Sequence, residues 1–362
     1  MKILHYINNL GSGGAEKLLT DILPLMQKKG NEVSVLICNS YKNVDLYEQH
    51  LENGNIKIIN FQTSFYNPLQ IFSLIKLIRK ENYDIVHAHL FPTQYWLGLG
   101  SFFISKNTKF VKTEHNVNNR RRGLFLFKIF DKIIYKRFDK IIGITLNVKE
   151  SLSSWLSIHD CAVVINNGVN ISQISKSGRV SNGFNFKMGY NILMVASFDG
   201  KQKDQLSLLK ALNNLPENFN LYFAGEGPFL NQIKLYAKKY NLQNRTYFMG
   251  MRKDIYFLMN NSDINILSSN YEGLSGVTLE SLASGKPFLG SNVPGIKDIV
   301  PDQSYLFPKG NYKVLAQKIL EISNNKILQH EMVSKAKSHV LKYDINLMVS
   351  KYLELYNRLL KK

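Results

Sequence analysis

Two carboxylates, Glu272 and Glu280, stand eight positions apart in the stretch YEGLSGVTLESLASGKP, residues 271–287. Small residues (Gly273, Ser275, Gly276) lie between them. The stretch follows INILSS (264–269), which has the length and apolar run of a buried strand, and it enters a helical pattern over 276–284. Ser275 suits the cap of that helix. Gly273, Leu274, Ser275 and Gly276 then offer N–H donors to a negative group, aided by the helix dipole. Glu280, about a turn into the helix, sits on rigid backbone and can accept two hydroxyl hydrogen bonds. Carboxylates that grip hydroxyls, beside amides that grip phosphate, make a seat for a sugar nucleotide. Either glutamate alone is accounted for by ordinary dipole pairing; the pair around a Gly-Ser turn carries the chemistry.

A second candidate is NNLGSGGAEKLL, where Gly13 and Gly14 open a helix directly after a strand. Backbone N–H groups at such a place can meet an anion. Gly11 and Gly13 fit a dinucleotide-binding fingerprint, but Glu16 fills its third glycine position, so that fingerprint fails, and no Walker A loop occurs. A tight turn that needs glycine is the other reading, and the residues leave both open. The third candidate, NRRRGLFLFKIFDKIIYKRFDK (119–140), holds eight basic residues, two acidic ones and five aromatics. Lys128, Lys132, Lys136 and Lys140 recur every four positions beside a stripe of Ile129, Phe130, Ile133, Ile134 and Phe138. That is an amphipathic helix. It suits either a core-facing helix with a solvated lysine face or attachment to an anionic membrane surface, with Arg120, Arg121 and Arg122 meeting the pyrophosphate of a lipid-linked acceptor.

The elements that must position these residues alternate along the chain. Strand-like runs fall at 2–7, 32–38, 56–61, 83–90, 109–115, 140–145 and 162–167, with helical stretches such as 14–30 and 68–83 between them. The polar segment 171–188 interrupts the alternation and reads as a linker. The pattern resumes with strands at 191–197, 220–227, 245–250, 264–269 and 287–291, each of the first four followed by a helix, and a last helix at about 346–361 has no strand after it. Two α/β halves with parallel sheets follow, over 1–170 and 189–344, with a seam where a ligand sits beyond the carboxyl ends of the strands. At 362 residues and 44% apolar, the chain can bury two cores.

Composition narrows the partners. The net charge of +19 is spread as +8 over 1–170 (21 basic, 13 acidic) and +11 over the rest (25 basic, 14 acidic). An anionic partner or simple solubility both account for it. No nucleic-acid-binding module is visible. No apolar run reaches the ~20 residues that span a bilayer, and the N-terminus lacks an export signal. Cys38 and Cys161 form neither a disulfide framework nor a metal spacing, which fits a reducing cytoplasm.

YEGLSGVTLESLASGKPFLGSNVPGIKDIV closely resembles the retaining glycosyltransferases of family 4 (GT4), whose hallmark is Glu, seven residues, Glu, then a small residue, Gly and Pro. The resemblance extends to NNLGSGGAEK, DIVHAHLF, VVINNGVN and FAGEGP, and covers nearly the whole chain. It implies the GT-B fold, α/β with two Rossmann-like domains facing each other across a cleft and the last helix (about 345–362) crossing back to the first. Glu280 would then hold ribose hydroxyls and Glu272 those of the donor sugar. The amides of Gly273, Leu274 and Ser275 would hold sugar and diphosphate. Gly225, Glu226 and Gly227 would lie near the base, with Arg252 close by, and His115 would line the cleft opposite the sugar. The family's arginine after the first strand of the second domain is replaced by Ser197; its lysine matches Lys203, one position late, and Lys201 is placed to compensate. Gly13, Gly14 and Arg120–Arg122 would face the acceptor.

Breaking the anomeric C–O bond puts negative charge on a diphosphate, which Lys203 and the helix N-terminus would stabilise. No Asp-x-Asp pair occurs, in agreement with a metal-independent family, so no cofactor or metal is expected. The reading is a retaining transferase moving a hexose or N-acetylhexosamine from a nucleotide sugar, UDP-linked, to a polyprenyl-pyrophosphate-linked glycan in surface polysaccharide assembly. It would work as a cytoplasmic enzyme peripheral to the inner face of the membrane. A sugar-nucleotide epimerase or hydrolase of the same fold, or a catalytically silent sugar-nucleotide-binding partner, are the alternatives.

Overall fold

A computed structural model describes residues 1–11, 13–41, 43–105, 107–116, 125–157, 161–178 and 183–361. In chain order the elements are β1 (Lys2–Ile7), α1 (Gly14–Lys28), β2 (Glu32–Ile37), α2 (Asp45–Asn53), β3 (Lys57–Asn60), α3 (Gln70–Glu81), β4 (Ile85–His89), α4 (Thr93–Gly100), β5 (Lys109–Glu114), α5 (Phe125–Tyr135), β6 (Lys140–Gly143), α6 (Leu146–Leu156) and β7 (Ala162–Val164). Then come α7 (Ile171–Ser177), β8 (Tyr190–Val195), α8 (Gln205–Leu212), β9 (Phe219–Ala224), α9 (Leu230–Lys239), β10 (Thr246–Phe248), α10 (Ile255–Asn261), β11 (Ile264–Leu267), α11 (Gly276–Ala283), β12 (Phe288–Ser291), β13 (Leu306–Phe307), α12 (Tyr312–Asn324), α13 (Lys326–Val340) and α14 (Ile345–Leu360).

The chain divides into two units, Met1–Gly168 with Ile345–Lys362, and Val169–Asp344. In the first, the described strands form one parallel sheet in the order β3-β2-β1-β4-β5-β6-β7; in the second the order is β10-β9-β8-β11-β12-β13. Both sheets reverse direction beside their first strand, which is the doubly wound, Rossmann-like arrangement. Burial on both faces explains why β4, β9, β11 and β12 read as runs rather than alternations: every residue in them is buried. Helix α14 packs Ile345, Met348, Val349, Tyr352, Tyr356 and Leu359 into the same core as Ile3, Ile7, Leu19 and Leu23 of the first unit.

Two expectations require correction. The segment 171–188 is not a free linker in its described parts. Asn170 caps α7 by accepting from Gln173 N–H at 3.0 Å, and α7 packs on α10 and α11 through the fully buried Ile174. Asn260 Nδ2 also donates to Ile174 O at 2.6 Å. Phe184 and Phe186 set their edges against Tyr222. One buried isoleucine in a polar segment gives no period, so local patterning passes over it.

The second correction concerns 119–140. Helix α5 ends at Tyr135, so Lys128 and Lys132 lie on it while Lys136 follows it and Lys140 opens β6. The apolar stripe splits. Ile134 and Phe138 are buried, whereas Ile129, Phe130 and Ile133 are 48%, 58% and 51% exposed. The buried Asp131 decides the orientation: it accepts hydrogen bonds from Tyr95 OH and Trp155 Nε1 and carries its own face of the helix inward.

Candidate functional site

In the second unit the loops after β8 and β11 leave the carboxyl ends of neighbouring strands where the strand order reverses, the place where open α/β sheets hold ligands. Their backbones are joined. Asp204 N–H donates to Ser268 O (3.0 Å), Asn270 N–H donates to Gln202 O (2.7 Å), and Lys203 and Ser269 form an antiparallel bridge. This brings two sequence-predicted residues into contact. Lys203 Nζ bonds Glu272 Oε1, which also accepts from Ser269 Oγ at 2.7 Å, while Glu272 Oε2 accepts from Gln202 Nε2 at 3.0 Å. The lysine and glutamate side chains are 12% and 6% exposed, so the pair is shielded from water. An anion that used Lys203 would have to draw it away from Glu272 or share it.

Asp199 builds the lysine loop, and sequence reasoning passed over it. Its Oδ1 accepts from the N–H groups of Lys201 (3.0 Å), Gln202 (2.8 Å) and Lys203 (3.2 Å), and Ser197 Oγ donates to its Oδ2 at 3.3 Å. Burial pushes this carboxyl up, but the three N–H bonds and Lys203 outweigh it and hold it below the usual value. The Asp-Gly dipeptide of the loop was the available signal. Lys201 has an exposed side chain on the same loop.

At the mouth of α11, Ser275 Oγ accepts from Thr278 N–H at 3.3 Å, as a cap should. The expected row of three amides is corrected to two. Ser275 N–H donates to Gly295 O at 3.2 Å, so of those three only Gly273 and Leu274 have no hydrogen-bond acceptor among the described residues. Gly295 is a second residue that sequence reasoning missed; its signal is the Pro-Gly of SNVPGIKD. Its φ is +79°, and a Cβ there would lie 1.7 Å from Gly273 O. Gly295→Ala is therefore expected to destabilise the second unit by about 2 kcal/mol or more, the cost of a strained φ plus displacement of the turn. If the expected donor seat is used, it should also weaken donor binding. Thermal unfolding and donor titration check both.

The remaining donor-side candidates lie near by on the same unit. Gly225 and Gly227 have φ of 144° and 154°, and a Cβ at either would meet Ala196 O or Phe198 O at 2.0 or 2.5 Å. They are glycine because the loop after β9 rides on the backbone after β8. Glu226 Oε1 accepts from Met251 N–H at 3.3 Å. Arg252 is held by Asp254 (Nε to Oδ1 2.8 Å, Nη2 to Oδ2 2.5 Å) and lies over the Phe184 ring. Glu280 is 7% exposed and accepts from Tyr256 OH at 3.3 Å.

In the first unit the corresponding reversal point lies between β1 and β4. There His5, His87 and His89 are 0%, 0% and 2% exposed, and His115 follows β5. His5 Nδ1 is 3.0 Å from His89 Nε2, and His89 Nδ1 is 3.5 Å from His115 Nε2. His87 is bonded to Tyr356 OH (2.6 Å) and Thr113 Oγ1 (2.8 Å). Ring nitrogens of His5, His87 and His89 lie within 4.8 Å of one another, a spacing that could hold a metal ion. The rings of His87 and His89 instead stack face to face at 4.2 Å, and both His87 nitrogens already have partners. The cluster is arranged as a hydrogen-bond network.

Burial lowers His5 to about 3 and His115 to about 4, the latter with Glu114 raising and Lys112 lowering it; His87 and His89 are also held well below 6.5, by burial first and by their histidine neighbours. The unfolded chain therefore binds more protons than the folded one below about pH 6.5. The stabilisation is complete above that pH and is lost as pH falls toward 4. The loss is expected to approach about 1 kcal/mol per pH unit for each histidine. Unfolding of the first unit followed from pH 7 to pH 4 reads this slope; a flat profile would contradict it.

Gly13 caps α1, and the Glu16 side chain folds over it: a Cβ at Gly13 would lie 2.2 Å from Glu16 Oε2. Burial raises that carboxyl, against its own N–H bond. An acceptor anion at Gly13 would have to displace it; Gly14 is open, with nothing within 4 Å of a Cβ. Arg120, Arg121 and Arg122 lie outside the described residues.

The chain is similar to known glycosyltransferases in sequence and in fold. Residues 12–173 match the family described as Glycosyltransferase Family 4, and residues 180–339 match Glycosyl transferases group 1. An Escherichia coli protein named UDP-Gal:alpha-D-GlcNAc-diphosphoundecaprenol alpha-1,3-galactosyltransferase is 25% identical over 71% of each chain. The crystal structure of a glycosyltransferase from Rickettsia africae superposes with a TM-score of 0.86 over 100% of this chain and 99% of that one, at 24% identity. That of Anabaena Alr3699/HepE in complex with UDP gives 0.82 over 99% and 100%, at 18% identity.

Proposed function

Because the chain is a glycosyltransferase of GT-B fold, with a family 4 domain followed by a group 1 domain, we propose that it moves a hexose or N-acetylhexosamine from a UDP-sugar to a polyprenyl-pyrophosphate-linked glycan, with retention. The carrying observation is the Lys203–Glu272 pair beside the two amides that precede α11. Lys203 and those amides take the negative charge as the anomeric C–O(phosphate) bond breaks. Glu272 orients sugar hydroxyls, Glu280 the ribose, and Gly225–Gly227 and Arg252 border the base. The acceptor oxygen bonds the anomeric carbon on the face the phosphate leaves, and its proton passes to the departing phosphate. Ser197 supplies no charge where a cation would help, and Lys201 takes that part. No divalent ion is required in this scheme.

The UDP-bound Anabaena protein and the Escherichia coli galactosyltransferase support the donor nucleotide and the acceptor class. Among the described residues no helix is long and apolar enough to cross a membrane. Contact with the lipid-linked acceptor at the inner face of the membrane is assigned to α5, whose exposed Ile129, Phe130 and Ile133 stand beside exposed Lys128 and Lys132. Replacing the three apolar residues with serine should lower co-sedimentation with anionic vesicles by about tenfold or more, since each buried methylene is worth about 0.8 kcal/mol. Unchanged binding would remove α5 from the surface.

The deciding experiment is a panel of nucleotide sugars incubated with the protein and EDTA, with and without an undecaprenyl-diphosphate-linked oligosaccharide. Nucleotide release and glycan extension that depend on that acceptor support the reading. Release without extension points to a hydrolase, and no release from any donor to a silent binding partner.

A further inference from the structure

Four imidazoles in the first unit lie on one face of the sheet and climb toward its carboxyl edge. His5 pairs in register with His87, His89 with Thr113, and His115 comes two residues after Thr113. Within this group His5, His89 and His115 form a chain of two hydrogen bonds that uses both nitrogens of His89. A neutral imidazole has one N–H and one lone pair, so the chain has only two neutral arrangements. The protons all point inward, ending on His5 Nε2, or all outward, ending on His115 Nδ1.

The inner end selects between them. His5 Nε2 is buried and has no hydrogen-bond partner among the described residues. The inward arrangement places an N–H there with nothing to receive it, and orphaned buried N–H groups are rarer in folded proteins than under-used acceptors. The outward arrangement leaves only a bare lone pair at that end. We propose that His5 and His89 are positioning residues that hold His115 in its Nδ1–H tautomer: His5 Nδ1–H donates to His89 Nε2, and His89 Nδ1–H donates to His115 Nε2. His115 then presents a fixed N–H donor at its outer nitrogen and has no lone pair left to act as a base. In the transferase reading, on which its functional meaning rests, His115 gives a hydrogen bond to an oxygen of the sugar and removes no proton.

The test is long-range proton–nitrogen correlation NMR on the full chain labelled with nitrogen-15 in histidine, at neutral pH and without substrate, with His115→Gln identifying the resonances. His115 Nδ1 should appear as a protonated nitrogen and Nε2 as a bare one; the reverse assignment in the native chain overturns the proposal without any variant. His89→Gln offers an acceptor oxygen toward His5 and an amide NH2 group toward His115, and should keep the outward polarity and the His115 pattern. His89→Leu and His5→Phe should release it, giving His115 averaged shifts of mixed tautomers. An unchanged His115 pattern in a folded His89→Leu protein also overturns the proposal. The tautomer is read without turnover. A correct tautomer in a protein that transfers no sugar leaves the relay standing and the function refuted, and active transfer with the opposite tautomer does the converse.

Discussion

Lys203→Ala is expected to lower turnover of the UDP-sugar by about a hundred- to a thousandfold, the usual loss when one preorganised donor is removed from a developing charge. The size follows from the setting. The ammonium is mostly shielded from water, its loop is pinned by three N–H bonds to Asp199, and its partner Glu272 is held by Gln202 and Ser269. The loop backbone that carries the ammonium is fixed before the leaving group charges, and only the Lys203 side chain has to turn from Glu272 or be shared with it. The contrast with Glu272→Gln separates the roles. In the proposed scheme the amide still bonds sugar hydroxyls and frees Lys203 from its ion pair, so KM should change more than kcat. Lys203→Arg should not rescue fully, since a planar fork does not reproduce a point charge at a site fitted to lysine. Steady-state kinetics with each variant, beside unfolding temperatures to exclude collapse of the loop, checks the set. A Lys203→Ala protein with near-native kcat would remove the lysine from the chemistry.

Lys112→Met should destabilise the first unit by about 3–5 kcal/mol, because it takes the cation from a buried ion pair and leaves the carboxylate. Lys112 is 0% exposed; its Nζ lies 2.7 Å from Gln94 Oε1, 3.0 Å from Glu114 Oε2 and 3.6 Å from the centre of the Tyr135 ring. Tyr135 OH donates to Glu114 Oε2 at 3.0 Å, and Gln94 Nε2 donates to that hydroxyl at 3.3 Å, closing the circuit. The unfolding temperature should fall by roughly 10 °C, at 2–4 °C per kcal/mol for a unit of this size. The double variant Lys112→Met/Glu114→Leu should recover a large part of the loss, since replacing both members of a buried pair by apolar groups is often near neutral. Equal losses in single and double variants would mean that packing, not charge, makes the contribution.

How far the sequence could be read depended on whether the determining interactions were local. The strands at 2–7 and 264–269 and the helix opening at 276 could be read from runs of apolar residues and one capping serine, because burial on both faces and capping are properties of neighbours in the chain. Lys112 and Glu114 were not legible in this way. Their alternation with Val111 and Thr113 would place them toward water, yet Gln94 and Tyr135, 18 and 21 residues away from their partners, bring them inside. The apolar stripe of α5 was legible as a stripe, but not which of its residues would be buried, since Asp131 is drawn in by Tyr95 and Trp155, 36 and 24 positions distant.

The same division holds at the candidate site. The glutamate pair and its Gly-Ser turn are written in one short stretch, because a strand end, a cap and a first helical turn need only consecutive residues. That Lys203 reaches Glu272, that Gly295 takes the Ser275 amide, and that His5 is joined to His115 through His89 were decided by the parallel sheets. Parallel strands bring residues together only through long crossovers, and pairing between positions separated by dozens of residues leaves no periodicity in the chain to read.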